Sequence, residues 1–205
     1  ATQPITRFGV VFFRDKEYGS LGSYGDLPYK TELALTADVG AVTTTYSGLS
    51  ATGGNDEPEA QLEALFQTAM RTAEVGWGPN ATRVVVLFTD ATFHVAGQGP
   101  TTPNDGDAVL DGTPPGTGED YPTIAQLSSA LQAAGVIPIF AATAGVRSSY
   151  DSLVASLGFG AVVELASDSS NIVTAIQNAL TYIVNSTIIE NLIGTAFNDT
   201  LTGNA

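Results

Sequence analysis

Apolar residues occur along the chain in runs that predict alternating strands and helices. The segment 6–14 predicts a strand, and so does the uninterrupted apolar run at 83–89. A strand that is apolar on both faces, as 83–89 is, lies inside a parallel sheet covered by helices. The segment 56–75 has apolar residues at helical spacing. It therefore predicts a helix, with Pro58 at its first position and an acidic cap just before it.

The second half of the chain continues this alternation. Helices are predicted at 122–134, 148–157 and 170–184, and strands at 136–142 and 161–165. The predicted apolar face of the last helix consists of Ile172, Ile176, Leu180 and Ile183. Strands that alternate with helices predict an α/β fold with a mostly parallel sheet, whose ligands gather at the carboxyl ends of the strands.

Three segments do not follow this alternation clearly. The stretch 31–36 is short and apolar, and 41–49 is ambiguous because its run of threonines weakens a helix. The stretch 97–120 is rich in Gly, Pro and Asp and has no periodicity. A loop of that length in a compact domain is usually functional or mobile.

Charge and composition exclude several classes of function. The 205 residues contain 21 Asp and Glu against 7 Lys and Arg, a net charge of −14 that repels nucleic acid and anionic lipid. With no Cys and a single His, the chain cannot form disulfides, thiolate sites or a zinc site built on several imidazoles. No apolar run approaches the ~18 residues that span a membrane, so we expect no membrane insertion.

The acidic side chains form a cluster that fits either of two roles. Asp56, Glu57 and Glu59 fall within four residues and repel one another. A helix N-terminus offsets roughly 0.3–1 kcal/mol per charge, so the cluster fits a solvated helix cap. Clustered carboxylates with a loop carbonyl equally suit Ca²⁺ or Mg²⁺.

Two other charged segments favour the metal interpretation. Asp90 directly follows the buried strand 83–89, and the charged run 14–17 follows the first strand. Taken alone, each fits a capping residue or a solvated surface. The predicted fold nevertheless places both segments at the same sheet edge as the cluster, and this convergence favours a metal site.

Ordered motifs extend from about Arg7 to Leu180. They are FGVVFFRD at 8–15, DEPE at 56–59, GW at 76–77, NATRVVVLFTD at 80–90, FHVAG at 93–97, PNDG at 103–106, DYPTIAQL at 120–127, IFAAT at 139–143 and DSSN at 168–171. In order and spacing this set resembles the I-like domain of integrin β subunits. The resemblance implies a von Willebrand factor A (VWA) type fold, a doubly wound and mostly parallel sheet flanked by helices.

The resemblance also implies metal ligands. Integrin β I-like domains hold a central adhesion metal whose open position accepts a carboxylate from the protein ligand, and Glu59 and Asp90 match two of its ligands. Mg²⁺ is the ion expected there. An adjacent site takes a backbone carbonyl from the position of Ser167. A neighbouring Ca²⁺ site would use Asp15, Asp56, the carbonyl of Pro58, and Glu59.

The chain departs from the family pattern in two ways. The position that should be Asn in the Ca²⁺ site is Gly54, and Asn55 lies one residue further on. The family's first central strand, which carries Asp-x-Ser-x-Ser, has no counterpart in this sequence. We therefore expect an incomplete adhesion site. We also expect a shortened sheet, or a gap between the strands at 6–14 and 83–89.

The last residues form a separate segment. IGTAFNDTLTGN at 193–204 resembles one degenerate nonapeptide of the repeats-in-toxin Ca²⁺-binding β-rolls, which bind Ca²⁺ only when stacked. A chance Gly/Asn/Asp loop is the alternative. We therefore predict a VWA-like domain at 1–186 and the start of a repeat or a linker at 187–205. A continuing array would indicate a secreted bacterial protein.

These observations predict a cation-dependent adhesion or protein-binding domain of a secreted or cell-surface protein. Its partner would present an acidic side chain. The alternative is a structural spacer rigidified by Ca²⁺. An enzyme is disfavoured, because the chain lacks a nucleophile motif and a thiol. Its lone His94 is more often a structural residue than a ligand or base.

Overall fold

The computed structural model describes the backbone of residues 6–192 and the side chains of residues 6–183. Its strands form two sheets. Strand β1 (Phe8–Phe12) pairs antiparallel with β2 (Lys30–Thr36). Strands β3 (Arg83–Thr89), β4 (Val136–Thr143) and β5 (Ala161–Leu165) form a parallel sheet in that order. The predicted α/β fold with a parallel sheet is confirmed.

Helices connect and cover these strands. They are α1 (Val39–Ser47), α2 (Gln61–Met70), α3 (Thr72–Val75), α4 (Ile124–Ala134), α5 (Arg147–Leu157) and α6 (Ile172–Leu192). The ambiguous segment 41–49 is thus helical, because Asp38 caps α1 by accepting hydrogen bonds from the amides of Gly40 and Ala41. No helix among the described residues is both long and apolar enough to cross a bilayer.

The hydrophobic core lies on both faces of the parallel sheet. Phe140 and Ala142 of β4 face a cluster that includes residues of α2, α4 and α5, whereas Ile139 and Ala141 face residues of β5 and α6. This alternation follows from the two-residue period of a strand. The doubly covered β4 positions the carboxyl ends of the three parallel strands at one edge.

The predicted helix at 56–75 begins later than expected. It starts at Gln61, without a side-chain cap, and is broken at Arg71. Pro58 is therefore not in the first helical turn. The backbone of Glu59 is instead engaged with the segment after β3: its N–H donates to the Thr92 carbonyl at 3.0 Å, and its carbonyl accepts from the His94 N–H at 3.0 Å.

The predicted apolar face of the last helix is also wrong. Ile172, Ile176 and Leu180 are 38%, 38% and 53% exposed, whereas Ala175, Ala179 and Ile183 are buried. Small alanines allow the helix to lie close to β5, and only Ile183 belongs to both the predicted and the observed face. The helix continues to Leu192, while the repeat-like residues 193–205 lie outside the described chain.

The expected gap in the sheet is present. Within residues 6–192, β1 pairs only with β2, and β3 pairs only with β4. Each of these strands therefore keeps one edge whose backbone groups pair with no other strand of the described chain.

Candidate metal centre

Three loop segments meet beyond the ends of β1 and β3. The Ala60 N–H donates to the Arg14 carbonyl at 2.9 Å, which joins the segment after β1 to the start of α2. The two hydrogen bonds of Glu59 with Thr92 and His94 join that segment to the one after β3. This backbone network places the acidic side chains that the sequence predicted to converge beside the single histidine.

The centre of the site is formed by Asp15, Asp56 and His94. His94 Nε2 lies 3.1 Å from Asp15 Oδ2 and 3.3 Å from Asp56 Oδ1. One ligand atom from each of the three residues lies within 4.8 Å of the others. Asp15 and His94 are buried, whereas the Asp56 side chain is 34% exposed, so the cluster is open to solvent on one side.

The two carboxylate oxygens of Asp15 have different partners. Its Oδ1 accepts hydrogen bonds from the Lys16 N–H, at 2.7 Å, and from the Tyr121 hydroxyl. Burial and the nearby Asp15 raise the pKa of Tyr121, so its hydroxyl stays protonated and donates. Asp15 Oδ2 has His94 Nε2, 3.1 Å away, as its ion-pair partner when the imidazole is protonated. A buried acceptor whose partner is missing costs about 1–3 kcal/mol, and more for a charged group.

Glu59 and His94 respond to this concentration of negative charge. Burial, together with the carboxylates of Asp15, Asp26 and Asp56, raises the pKa of Glu59 to about 7. Its Oε2 has no hydrogen-bond partner in the described chain. Burial opposes the charged form of His94, but the Asp15 and Asp56 carboxylates outweigh it and raise the pKa of the imidazole. Both shifts show that the cluster favours a positive charge.

Gly54 and Asn55 supply no side-chain ligand to this cluster. A Cβ atom at Gly54 would lie 2.6 Å from Glu59 Oε1, and the residue has a φ of +69° that favours glycine. The Asn55 side chain is engaged elsewhere. Its Nδ2 donates to the Gly22 carbonyl at 2.8 Å, and its Oδ1 accepts from the Ser23 hydroxyl at 3.0 Å.

The remaining predicted ligands lie at or near the same edge. Pro58 lies between Asp56 and Glu59 and is partly buried. Asp90 and Ser167 are exposed and line one cleft at the carboxyl ends of the parallel strands. Neither belongs to the group of side chains around His94. The structure thus divides the predicted ligands between a partly buried cluster and an exposed cleft.

Sequence reasoning did not single out Lys16, which lies beside the cluster. Its ammonium group lies 3.1 Å from Glu63 Oε2 and donates to the carbonyls of Glu119 and Asp120 at 2.9 and 3.0 Å. It also lies 4.8 Å from the centre of the Tyr121 ring. Lysine is rarely buried without a partner, but nothing in its sequence position identifies the partners.

Lys16 anchors the end of the long loop 97–120. Two loop residues accept hydrogen bonds there. The Glu119 carboxylate accepts from Asn104 Nδ2 and the Asp105 N–H, both at 3.1 Å. Asp120 Oδ1 accepts from the Gly99 N–H at 2.8 Å. A segment without periodicity is therefore held in place by buried polar contacts.

His94 was expected to be structural, but it lies within the acidic cluster. Its ring stacks on Tyr121 with ring centres 4.9 Å apart. The available signal was its position in FHVAG, four residues after Asp90 at the end of a buried strand. Tyr121 belongs to DYPTIAQL, whose contact with Asp15 spans 106 residues and cannot be read from spacing.

Comparison with known proteins identifies related domains. The family model for the integrin beta chain VWA domain matches residues 22–187. Human integrin beta-7 is 37% identical over 154 residues, which cover 72% of this chain and 19% of the relative. Integrin beta-2 of Sus scrofa is 37% identical over 157 residues, covering 74% and 20%. Integrin beta-PS of Drosophila melanogaster is 31% identical over 158 residues, covering 73% and 18%. The chain therefore spans about a fifth of the length of these relatives.

Proposed function

We propose that this chain, which belongs to the integrin beta chain VWA domain family, is a divalent-cation-dependent protein-binding domain that acts outside the cell. Domains of this family are typically metal-dependent adhesion modules and not enzymes. Because the chain spans only part of its relatives, the activity of a whole integrin is not transferred to it.

The observation that carries the proposal is a group of carboxylates that has a single histidine to neutralise it. Asp15 is fully buried, and His94 Nε2 lies 3.1 Å from its Oδ2 and 3.3 Å from Asp56 Oδ1, so one imidazole serves two carboxylates. The two basic neighbours of Asp15 are engaged elsewhere, because Arg14 pairs with Asp26 at 3.3 Å and Lys16 pairs with Glu63. A divalent cation would supply the missing positive charge.

The donor set fits Ca²⁺. Asp15, Asp56 and Glu59 offer carboxylate oxygens, and the Pro58 carbonyl lies between the last two in sequence. Such hard oxygen donors are the ligands of Ca²⁺. When bound, the ion supplies charge neutralisation and open coordination positions. The residues themselves hold the segments after β1 and β3 together, and the raised pKa of Glu59 should fall when a cation binds.

The second site would bind the partner. Asp90 and Glu59 are the proposed protein ligands of an Mg²⁺ ion, and the Ser167 carbonyl would serve an adjacent ion near the same cleft. The partner would complete the site with a carboxylate from an acidic side chain. Because the chain carries a net charge of −14, its surface repels such a ligand, and only the bound metal can attract it. Binding should therefore depend strictly on the cation.

A capture experiment tests the proposal. The chain is immobilised and exposed to a peptide pool with a central Asp or Glu, in Mg²⁺ with Ca²⁺ or in chelator. A matched pool carries Asn or Gln at that position. We expect cation-dependent capture of the acidic pool that is lost in Asp90→Asn, with Glu32→Gln, a change in a surface ion pair, as the control. Cation binding without capture would favour the alternative of a Ca²⁺-rigidified spacer.

A further inference from the structure

We propose that His94 is a metal ligand and that the Asp15–Asp56–His94 cluster binds a transition-metal ion such as Zn²⁺ in competition with Ca²⁺. This inference rests on the proposed function, because it concerns a second class of ion at the same cluster. The oxygen donors around Glu59 would hold Ca²⁺. The imidazole nitrogen would be used only by an ion that accepts nitrogen ligands.

The two distances from His94 Nε2 to the carboxylates fit a small ion. Zn²⁺ binds His nitrogen and carboxylate oxygen at about 2.0–2.2 Å, so tetrahedral ligand atoms lie about 3.3–3.6 Å apart. His94 Nε2 lies 3.1 and 3.3 Å from the nearest oxygens of Asp15 and Asp56. Ca²⁺ requires longer bonds and six to eight oxygen ligands. Three protein ligands on a partly exposed cluster leave a fourth position for water.

The surroundings of His94 orient Nε2 toward the two carboxylates. Gln98 Oε1 accepts a hydrogen bond from the Val95 N–H at 2.8 Å, which fixes this atom as an acceptor. The same oxygen lies 3.4 Å from His94 Nδ1, so it accepts from that nitrogen. Nε2 then lies between the carboxylates of Asp15 and Asp56, where a bound metal ion would take the place of its proton. A ligating histidine typically has its other nitrogen held in this way.

Asp15 is held with equal firmness. The Lys16 N–H and the Tyr121 hydroxyl fix its Oδ1, which leaves the buried Oδ2 directed at His94 Nε2, 3.1 Å away. Tyr121 also stacks on the imidazole. One aromatic side chain therefore positions two of the three ligands.

The ligand types predict the competition. Carboxylates serve both classes of ion, but an imidazole suits Zn²⁺, Cu²⁺ or Ni²⁺ and not Ca²⁺. Both ions would share Asp15 and Asp56, so they cannot bind together. Glu59 and the Pro58 carbonyl would distinguish Ca²⁺, whereas His94 would distinguish the transition metal.

Co²⁺ and Zn²⁺ titrations test this inference on the chain without a histidine tag. The sequence has one His and no Cys, so any imidazole coordination signal comes from His94. We expect Co²⁺ to give a visible absorption band that Zn²⁺ removes, and Zn²⁺ to displace Ca²⁺ in calorimetry. His94→Gln should weaken Zn²⁺ binding by at least about tenfold. Ca²⁺ affinity should be unchanged in this variant.

Two results would overturn the inference. One is equal Zn²⁺ affinity in His94→Gln and in the natural chain. The other is Zn²⁺ binding that leaves Ca²⁺ in place. Glu32→Gln, a change in a surface ion pair, is the control and should retain the Co²⁺ band. Failure of acidic-peptide capture, with the Co²⁺ band intact, would contradict the proposed function and leave the metal assignment standing.

Discussion

Asp15 and Lys16 are neighbours in sequence and are both fully buried, but their surroundings are opposite. The Lys16 ammonium group donates to the carbonyls of Glu119 and Asp120 and pairs with Glu63 Oε2 at 3.1 Å. Asp15 instead shares a single imidazole, that of His94, with the Asp56 carboxylate. The positive charge of Lys16 is thus fully partnered within the described chain, whereas the negative charge of the Asp15 cluster exceeds what one imidazole neutralises.

The difference separates stability from binding. A buried ion pair with its hydrogen bonds satisfied costs most when one partner is removed. A cluster in which carboxylates outnumber the positive groups lowers stability until an ion binds, and so couples ion binding to folding. Substitutions in the two regions should therefore differ in how strongly their effect depends on the ion.

The largest expected effect is that of Lys16→Met. It leaves Glu63 buried without its positive partner and removes a donor from two carbonyls, so we expect a loss of about 3–5 kcal/mol in the free energy of unfolding. Denaturant unfolding measures this loss. The matched control is Lys30→Met, which breaks a half-exposed pair with Glu32 and should change stability by less than about 1 kcal/mol. Similar losses in both variants would contradict the stabilising role assigned to the buried Lys16 network.

Asp15→Asn should have a smaller effect in the absence of ions. The amide keeps an oxygen for the Lys16 N–H and Tyr121 but removes a charge that both repels Asp56 and pairs with His94. In chelator we expect these two effects to offset, so that the loss of stability is smaller than that in Lys16→Met. At 100 times its Kd, Ca²⁺ should stabilise the natural chain by about 2.7 kcal/mol, and this gain should vanish in the variant. Thermal unfolding with and without Ca²⁺ measures both; an undiminished gain would contradict the role of Asp15.

Glu119, whose carbonyl accepts from Lys16, should make stability depend on pH. Burial raises its pKa in the folded state from 4.5 to about 7, so the folded state prefers the protonated acid. The stabilisation that protonated Glu119 provides is fully present below pH 4.5 and is lost as the pH rises through 7. Between pH 5 and 7.5, in chelator, the free energy of unfolding should therefore fall by about 2 kcal/mol less in Glu119→Gln than in the natural chain. Parallel pH profiles would contradict this assignment.

The smallest effect on ion binding is expected for Asn55→Ala. The Asn55 side chain bonds to Gly22 and Ser23 and not to the cluster, so its loss should cost about 1 kcal/mol of stability. Calorimetry should show the same Ca²⁺ affinity as in the natural chain. A clear loss of affinity would mean that Asn55 turns toward the ion, and would contradict the observed geometry.

The sequence predicted the parts of the molecule that depend on local patterns. RVVVLFT at 83–89 forms β3, and α4 ends at Ala134, where the predicted helix 122–134 ends. The meeting of the segments that carry Asp15 and Asp56 followed from the edge of the predicted sheet. These features depend on side-chain periodicity and chain direction, which can be predicted from a single sequence.

Other features depend on contacts between distant segments. The start of α2 is set by backbone bonds between Glu59 and the Thr92–His94 segment, which override the Pro58 signal. The buried face of α6 is set by its close approach to β5, which selects alanines over larger residues. The place of His94 depends on both Asp15 and Asp56, and the latter lies 38 residues away. No local pattern encodes these contacts.

Calorimetric titration of Ca²⁺ into the chain freed of metal by a chelator shows directly whether the Asp15 cluster binds a cation. We expect saturable binding in the natural chain, severe loss in Asp15→Asn and Glu59→Gln, and retention in Asn55→Ala. Absence of binding in the natural chain would contradict a cation site at Asp15. Undiminished binding in Asp15→Asn would contradict it equally.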